Sequence, residues 1–188
     1  MAELSKAVFL DKDGTLIPNV PYSIDPDQAT LNLDATRALR LFSKLGYQLF
    51  IISNQSGVAR GYFYEEQVHL LIKRFSDSFE SIGVRLQGFY YCPHHPDGKA
   101  PYNIDCECRK PKPGMLTLAA VEHSIDLEKS WFIGDILHDV EAGRRAGCRT
   151  ILLDNGNETE WQLSRDRLPH HIVESLGEAA RVITAAGW

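Results

Sequence analysis

Asp11 and Asp13 flank Lys12, precede Gly14 and Thr15, and leave a short apolar run, Ala7-Val8-Phe9-Leu10. A run that short, closed by a glycine turn, reads as a buried strand. Side chains two apart on a strand point the same way. Two carboxylates held that close repel unless one is protonated or a cation sits between them. The triplet thus offers a nucleophile, an acid/base partner and a metal site, and Asp can accept a phosphoryl group covalently. The same letters occur in plain polar turns and at the start of a calcium loop. A calcium loop needs a further Asp or Asn and a Glu at its twelfth position. That position is Tyr22, which excludes it.

Further polar sites follow apolar runs. Ser53 ends the run Tyr47 to Ile52, and Gly134-Asp135 end Trp131-Phe132-Ile133. Cys92-x-His94 and Cys106-x-Cys108 place four soft or borderline ligands in two close pairs. Four such ligands suit a structural, tetrahedral Zn2+, although the order is not that of a zinc finger. The alternatives are free thiols, and His95 in place of His94. Cys148, between Gly147 and a strand, reads as an ordinary buried thiol.

The elements that must position these residues alternate. Strands are expected at about 6–11, 47–52, 86–91, 131–133 and 149–153, with a short run at 171–173. Helices are expected at about 34–45, 65–82, 113–123, 137–146 and 176–185. Asp34 suits the N-cap of the first, and Gly46 and Gly147 suit helix ends. Val68, Leu71, Ile72, Phe75, Phe79 and Ile82 follow helical spacing. Residues 12–30 read as a loop or flap. Residues 92–112 form a loop long enough to be functional or to be held by something. Strands alternating with helices predict a parallel sheet with helices on both faces, a Rossmann-like α/β fold. Ligands bind beyond the carboxyl ends of such strands. Asp11, Ser53 and Asp135 all fall there.

The chain has 188 residues, apolar residues make up 44% of it, and its net charge is -5. This suits one domain over 1–188 with an insert at about 92–112. The charge is mixed, with no basic stripe, which argues against nucleic acid as a partner. No apolar run approaches a membrane span, and no signal peptide is evident. Four cysteines, three of them clustered, do not make a disulfide framework at this length, and a reduced, cytoplasmic compartment is expected. The expected state is a monomer acting on a small soluble molecule. His123, His138, His170 and His171 have no partners at motif spacing and read as surface or core histidines. Trp161 and Trp188 are expected to pack on the flank.

Over about 1–155 the chain resembles the haloacid dehalogenase superfamily of phosphohydrolases. The resemblance rests on Asp11-Lys12-Asp13-Gly14-Thr15, Ser53, Lys110 and Gly134-Asp135 with Asp139. It is closest to the histidinol-phosphatase-related branch, through Ser53-Asn54-Gln55-Ser56-Gly57-Val58-Ala59-Arg60-Gly61, Tyr91-Cys92-Pro93-His94-His95 and Cys106-Glu107-Cys108-Arg109-Lys110-Pro111. It implies a capless enzyme whose zinc-pinned loop stands in for a cap. Asp11 would be the nucleophile and Asp13 the acid/base. Ser53 and Lys110 would hold phosphoryl oxygens, and Asp11, Asp13 and Asp135 would hold Mg2+. Asn19, Tyr22, Asn54, Gln55, Ser56, Arg109 and Lys110 would contact the substrate. Asp139 would tune the metal or face solvent. The implied substrate is a small sugar phosphate, first the 7-phosphate of a heptose 1,7-bisphosphate, and second histidinol phosphate. A catalytically inactive zinc-stabilised binding module is the reading from another class. Some members of the branch carry Lys after the metal-binding Asp, where this chain has Ile136.

Overall fold

The computed structural model describes residues 4–187. The strands are β1 (Ala7–Leu10), β2 (Gln48–Asn54), β3 (Leu86–Cys92), β4 (Trp131–Gly134), β5 (Arg149–Leu153) and β6 (His171–Val173). The helices are α1 (Leu33–Lys44), α2 (Gly57–Arg60), α3 (Glu65–Ser81), α4 (Gly114–His123), α5 (Leu137–Ala146) and α6 (Leu176–Ala186). All six strands lie parallel in one sheet, in the order β3-β2-β1-β4-β5-β6.

Alternation along β1 divides the core between the two faces of the sheet. Val8 and Leu10 pack with Phe42 of α1, Phe75 of α3 and Ile183 of α6. Ala7 and Phe9 pack on the other face with Met115 and Leu116 of α4 and Ala142 of α5. Burial on both faces is why the central strands are continuous apolar runs. From β1 the chain moves out to β2 and β3, then crosses back to β4 on the other side of β1. The crevice of such a sheet opens at the strand ends where this reversal occurs. Asp11 and Asp135 leave β1 and β4 there, and the Asp11 N–H donates to Ile133 O at 2.9 Å.

Several details differ from the sequence expectation. The N-cap of α1 is Asn32, whose Oδ1 accepts the Ala35 N–H at 2.8 Å. Asp34 sits inside the first turn instead, where its carboxylate accepts the Gly177 N–H of α6 at 3.0 Å. α4 begins at Gly114, with Pro113 at its N-cap, one residue later than expected. β2 and β3 run past their apolar segments because ladder pairing continues through Ser53–Tyr91 and Asn54–Cys92. The four-residue α2 was not anticipated, being too short to show a period.

His123 stacks edge-on against Phe50, and His170 Nδ1 accepts the Thr150 N–H at 2.9 Å. Cys148 is buried in the core, and burial pushes its thiol pKa up. Trp161 is exposed, and the packing expected of Trp188 lies outside the described residues. No helix among the described residues is long and apolar enough to cross a membrane.

Candidate active site

Three buried carboxylates converge at the crevice. Asp11, Asp135 and Asp139 each bring one oxygen to within 4.8 Å of the others. The Lys110 ammonium sits among them, 2.5 Å from Asp11 Oδ1 and 2.6 Å from Asp139 Oδ1, and donates to Ile52 O at 3.0 Å. One ammonium does not balance three carboxylates. Burial accordingly pushes the Asp11 carboxyl up to about 6, against the pull of Lys110. Burial, then the charges of Asp11 and Asp139, push Asp135 up to about 8. Burial also works against the charged form of Lys110, but Asp11 and Asp139 more than reverse it, so its pKa is raised. Excess negative charge on an all-oxygen donor set fits a hard divalent cation.

Asp13 lies outside this carboxylate group. Its Oδ1 takes the ammonium of the fully buried Lys12 at 2.5 Å, and burial raises its pKa. Asp139, left open between metal tuning and solvent, is 1% exposed. It touches Lys110 and accepts the Ile136 N–H at 3.3 Å. Gly14 makes room for the cluster. At φ +80° it takes a left-handed conformation, and a Cβ there would lie 1.9 Å from Asp135 Oδ2.

The end of β2 supplies the other wall. Ser53 is buried, and its Oγ accepts from Gln55 Nε2 at 2.8 Å. Asn54 grips the backbone of Lys110 in both directions, with Nδ2 donating to Lys110 O and Oδ1 accepting the Lys110 N–H, each at 3.1 Å. The catalytic-lysine candidate is thus tied to β2, although 56 residues separate the two in sequence. Ser56 leads into α2.

The loop 92–112 gathers Cys92, His94, Cys106 and Cys108. Cys92 Sγ lies 3.4 Å from Cys106 Sγ and 3.1 Å from Cys108 Sγ, and the three cysteines are free. His94 Nδ1 lies 3.3 Å from Cys108 Sγ and 3.7 Å from Cys92 Sγ. These separations approach the edges of a tetrahedron around one metal ion, so His94 rather than His95 completes the set. The loop also has backbone anchors on α2. Ala59 N–H donates to Pro93 O at 3.2 Å, and Lys99 N–H to Ala59 O at 2.6 Å.

A cationic group flanks this loop. Arg109 Nη1 donates to His94 O at 3.3 Å, and Arg60 Nη2 lies 3.3 Å from His95 Nε2. Burial, then Arg109 and Arg60, lower the His95 pKa. Arg60 Nε is buried without a hydrogen-bond partner among the described residues. The Arg60 guanidinium lies 5.9 Å from the centre of the Tyr22 ring, and Tyr22 meets Tyr62 edge-on at 4.8 Å. Tyr22 and Asn19 are both exposed on the flap.

A family model described as HAD-hydrolase-like matches residues 107–179. The chain is 39% identical over 181 residues to the D-glycero-beta-D-manno-heptose-1,7-bisphosphate 7-phosphatase of Pasteurella multocida, covering 96% of this chain and 97% of that protein. The chain belongs to the haloacid dehalogenase-like phosphatases. This phosphatase is also 38% identical over 156 residues to the D-glycero-alpha-D-manno-heptose-1,7-bisphosphate 7-phosphatase of Photorhabdus laumondii, with 82% and 85% of the two chains covered. In structure it matches the D,D-heptose 1,7-bisphosphate phosphatase of B. bronchiseptica, complexed with magnesium and phosphate. The TM-score is 0.78 at 26% identity, covering 97% of this chain and 99% of that one.

Three polar residues of the phosphatase escaped the sequence reading. Asn155, Asn157 and Glu158 hydrogen-bond to Gly14, Asp135 and Leu137 from the loop after β5. Asn-Gly-Asn-Glu reads as an ordinary turn, and no periodic or motif signal marks it.

Proposed function

We propose that this phosphatase removes the 7-phosphate of D-glycero-D-manno-heptose 1,7-bisphosphate in nucleotide-heptose synthesis, for lipopolysaccharide or S-layer. The observation that carries the chemistry is the ion-paired cluster of Asp11, Lys110 and Asp139 beside Asp135. The substrate follows from the names of the full-length relatives. One domain over 1–188, acting as a cytoplasmic monomer, performs the reaction.

Asp11 attacks phosphorus in line and becomes an aspartyl-phosphate. Asp13 protonates the leaving sugar alkoxide, then takes a proton from the water that hydrolyses the acyl phosphate. Ser53 Oγ and the Lys110 ammonium hold non-bridging oxygens as charge shifts in the transition state. Lys110 pairs with Asp11 before substrate arrives and exchanges that contact for the phosphoryl group. Asp11 and Asp135 would hold Mg2+, with the backbone carbonyl of Asp13 as a further oxygen donor. When bound, the cation would supply charge neutralisation, letting the Asp11 carboxylate meet an anionic phosphate. Zn2+ at Cys92, His94, Cys106 and Cys108 is structural and pins the loop that carries Arg109. Asn19, Tyr22, Asn54, Gln55, Ser56 and Arg109 line the substrate, with the Arg109 fork suited to the phosphate that is retained.

The test is Mg2+-dependent phosphate release from the alpha and beta anomers of heptose 1,7-bisphosphate, with histidinol phosphate beside them and Asp11→Asn as the blank. Strong release from a heptose anomer, lost in the variant, is expected. Faster release from histidinol phosphate would keep the chemistry and replace the substrate.

A further inference from the structure

The loop after β5 returns to the active site at three points within four residues. Asn155 Nδ2 donates to Gly14 O at 2.6 Å. Asn157 Nδ2 donates to Asp135 Oδ2 at 2.8 Å. Glu158 Oε2 accepts the Leu137 N–H at 2.6 Å, at the start of α5. The loop also braces itself. Asn157 N–H donates to Asn155 Oδ1 at 3.3 Å, and Glu160 N–H to Glu158 Oε1 at 2.8 Å. One short segment therefore ties together the turn after β1, the carboxylate after β4 and the helix that carries Asp139.

The Asn157 contact is the most consequential of the three. Among the described residues, Asn157 is the one side chain that donates to Asp135. A carboxylate with one oxygen held by an amide has its plane fixed and its other oxygen left for a cation. Gly14 serves the same contact, since a Cβ there would lie 2.6 Å from Asn157 Nδ2 as well as against Asp135.

We propose that Asn157 is a positioning residue that orients the Asp135 carboxylate for the divalent cation, with Asn155 and Glu158 holding its loop in place. This rests on the metal site proposed above. Loss of such an outer hydrogen-bond partner typically weakens metal binding by about 10–100-fold. The experiment is calorimetric titration of Mg2+ into the zinc-loaded, full-length protein without substrate. It compares the natural protein, Asn157→Leu, Asn157→Gln and Asp135→Asn. Asn157→Leu keeps the bulk and removes the donor, so its Mg2+ dissociation constant should rise about 10–100-fold. Asn157→Gln, which keeps an amide, should recover part of that loss. The melting temperature of the Leu variant without added Mg2+ should match that of the natural protein. Asn157→Ser replaces it in the titration if the Leu variant does not fold. Unchanged Mg2+ binding in the folded variant, against a natural protein that binds Mg2+ and loses it with Asp135→Asn, overturns this inference alone. A natural protein that binds no Mg2+ overturns the metal site and the inference together.

Discussion

The carboxylates at the strand ends and the thiols of the loop 92–112 are both crowded groups of potential anions, held together in opposite ways. Asp11, Asp135 and Asp139 are placed by β1, β4 and α5, elements whose position the packed sheet already determines. Their crowding is relieved in part by Lys110, which the protein supplies itself. Cys92, at the end of β3, is buried in the core, and Cys106 and Cys108, partly buried against the same cluster, meet it across 14 and 16 residues of chain. Among the described residues, His94 Nδ1 approaches them, 3.3 Å from Cys108 Sγ and 3.7 Å from Cys92 Sγ. On the proposed reading, the oxygen site is preformed by the sheet and would receive its metal, whereas a metal at the sulfur site would add a bond between β3 and a loop that the sheet does not fix.

The sharpest test of the first half of that contrast separates charge from structure. Asp11→Asn removes the proposed nucleophile and should lower phosphate release by about 10⁴-fold or more. It also removes one of three crowded carboxylates, so stability should hold or rise. Lys110→Met should lower turnover by about 10²–10³-fold through loss of oxyanion stabilisation. Unlike the first variant, it leaves Asp11 and Asp139 buried without a counter-charge, a loss of about 3–5 kcal/mol. Denaturant unfolding of the two variants compares them directly. Equal destabilisation of both would break the claim that Lys110 is the internal counter-ion.

Zinc removal tests the second half. Stripping the thiol site, or Cys106→Ser, should loosen Arg109 and His95, which depend on the loop. Lys110 should be less affected, because Asn54 holds its backbone from β2. The expected result is a rise in KM for the bisphosphate of about tenfold or more, as charge-assisted contacts are lost, with a smaller fall in kcat. Asn54→Ala should do the reverse and lower kcat more than it raises KM. If zinc loss abolishes kcat and leaves KM intact, the loop positions Lys110 after all.

What could be read from the sequence follows the same division. Asp11, Ser53 and Asp135 were legible because each ends a buried apolar run, and a parallel sheet brings such ends together. The meeting of Cys92, His94, Cys106 and Cys108 was legible from their pairing in sequence. Asp139 was ambiguous because a carboxylate in the first turn of a helix suits solvent as well as the interior, and only packing against Lys110 decides it. Asn32 and Asp34 both satisfy the capping rule. The choice between them turned on α6, whose Gly177 N–H engages Asp34. Asn155 and Asn157 act across 141 and 22 residues, a reach that no local pattern encodes.

Arg60 sharpens the contrast at the rim, where the two regions meet. Its guanidinium touches His95 of the loop 92–112 and lies 5.9 Å from the ring centre of Tyr22 on the flap, and its Nε has no partner among the described residues. Arg60→Met should raise KM for the bisphosphate by about 10-fold, the loss of one charge-assisted hydrogen bond. A heptose 7-monophosphate, which lacks the second anion, should be much less sensitive. Equal effects on both substrates would assign Arg60 to loop structure alone.

The smallest effect is a pH dependence of the carboxylate site. Burial pushes Asp11 up to about 6 and Asp135 up to about 8, both above the unfolded carboxylate value near 3.9. Between about pH 4 and 8 the native state therefore binds more protons at these groups than the unfolded chain, so their contribution to stability falls as pH rises. Lys110, its pKa raised, stays fully charged across this window and adds no slope. In zinc-loaded protein without Mg2+, the melting temperature should decline from pH 5 to pH 8 by a few degrees more than in Asp135→Asn. Added Mg2+ competes with those protons, so its stabilising increment should be larger at pH 8 than at pH 5. Its binding should release protons, measurable as an enthalpy that varies with buffer. A Mg2+ increment as large at pH 5 as at pH 8 would mean that the carboxylates are already ionised, and that Lys110 alone offsets their crowding.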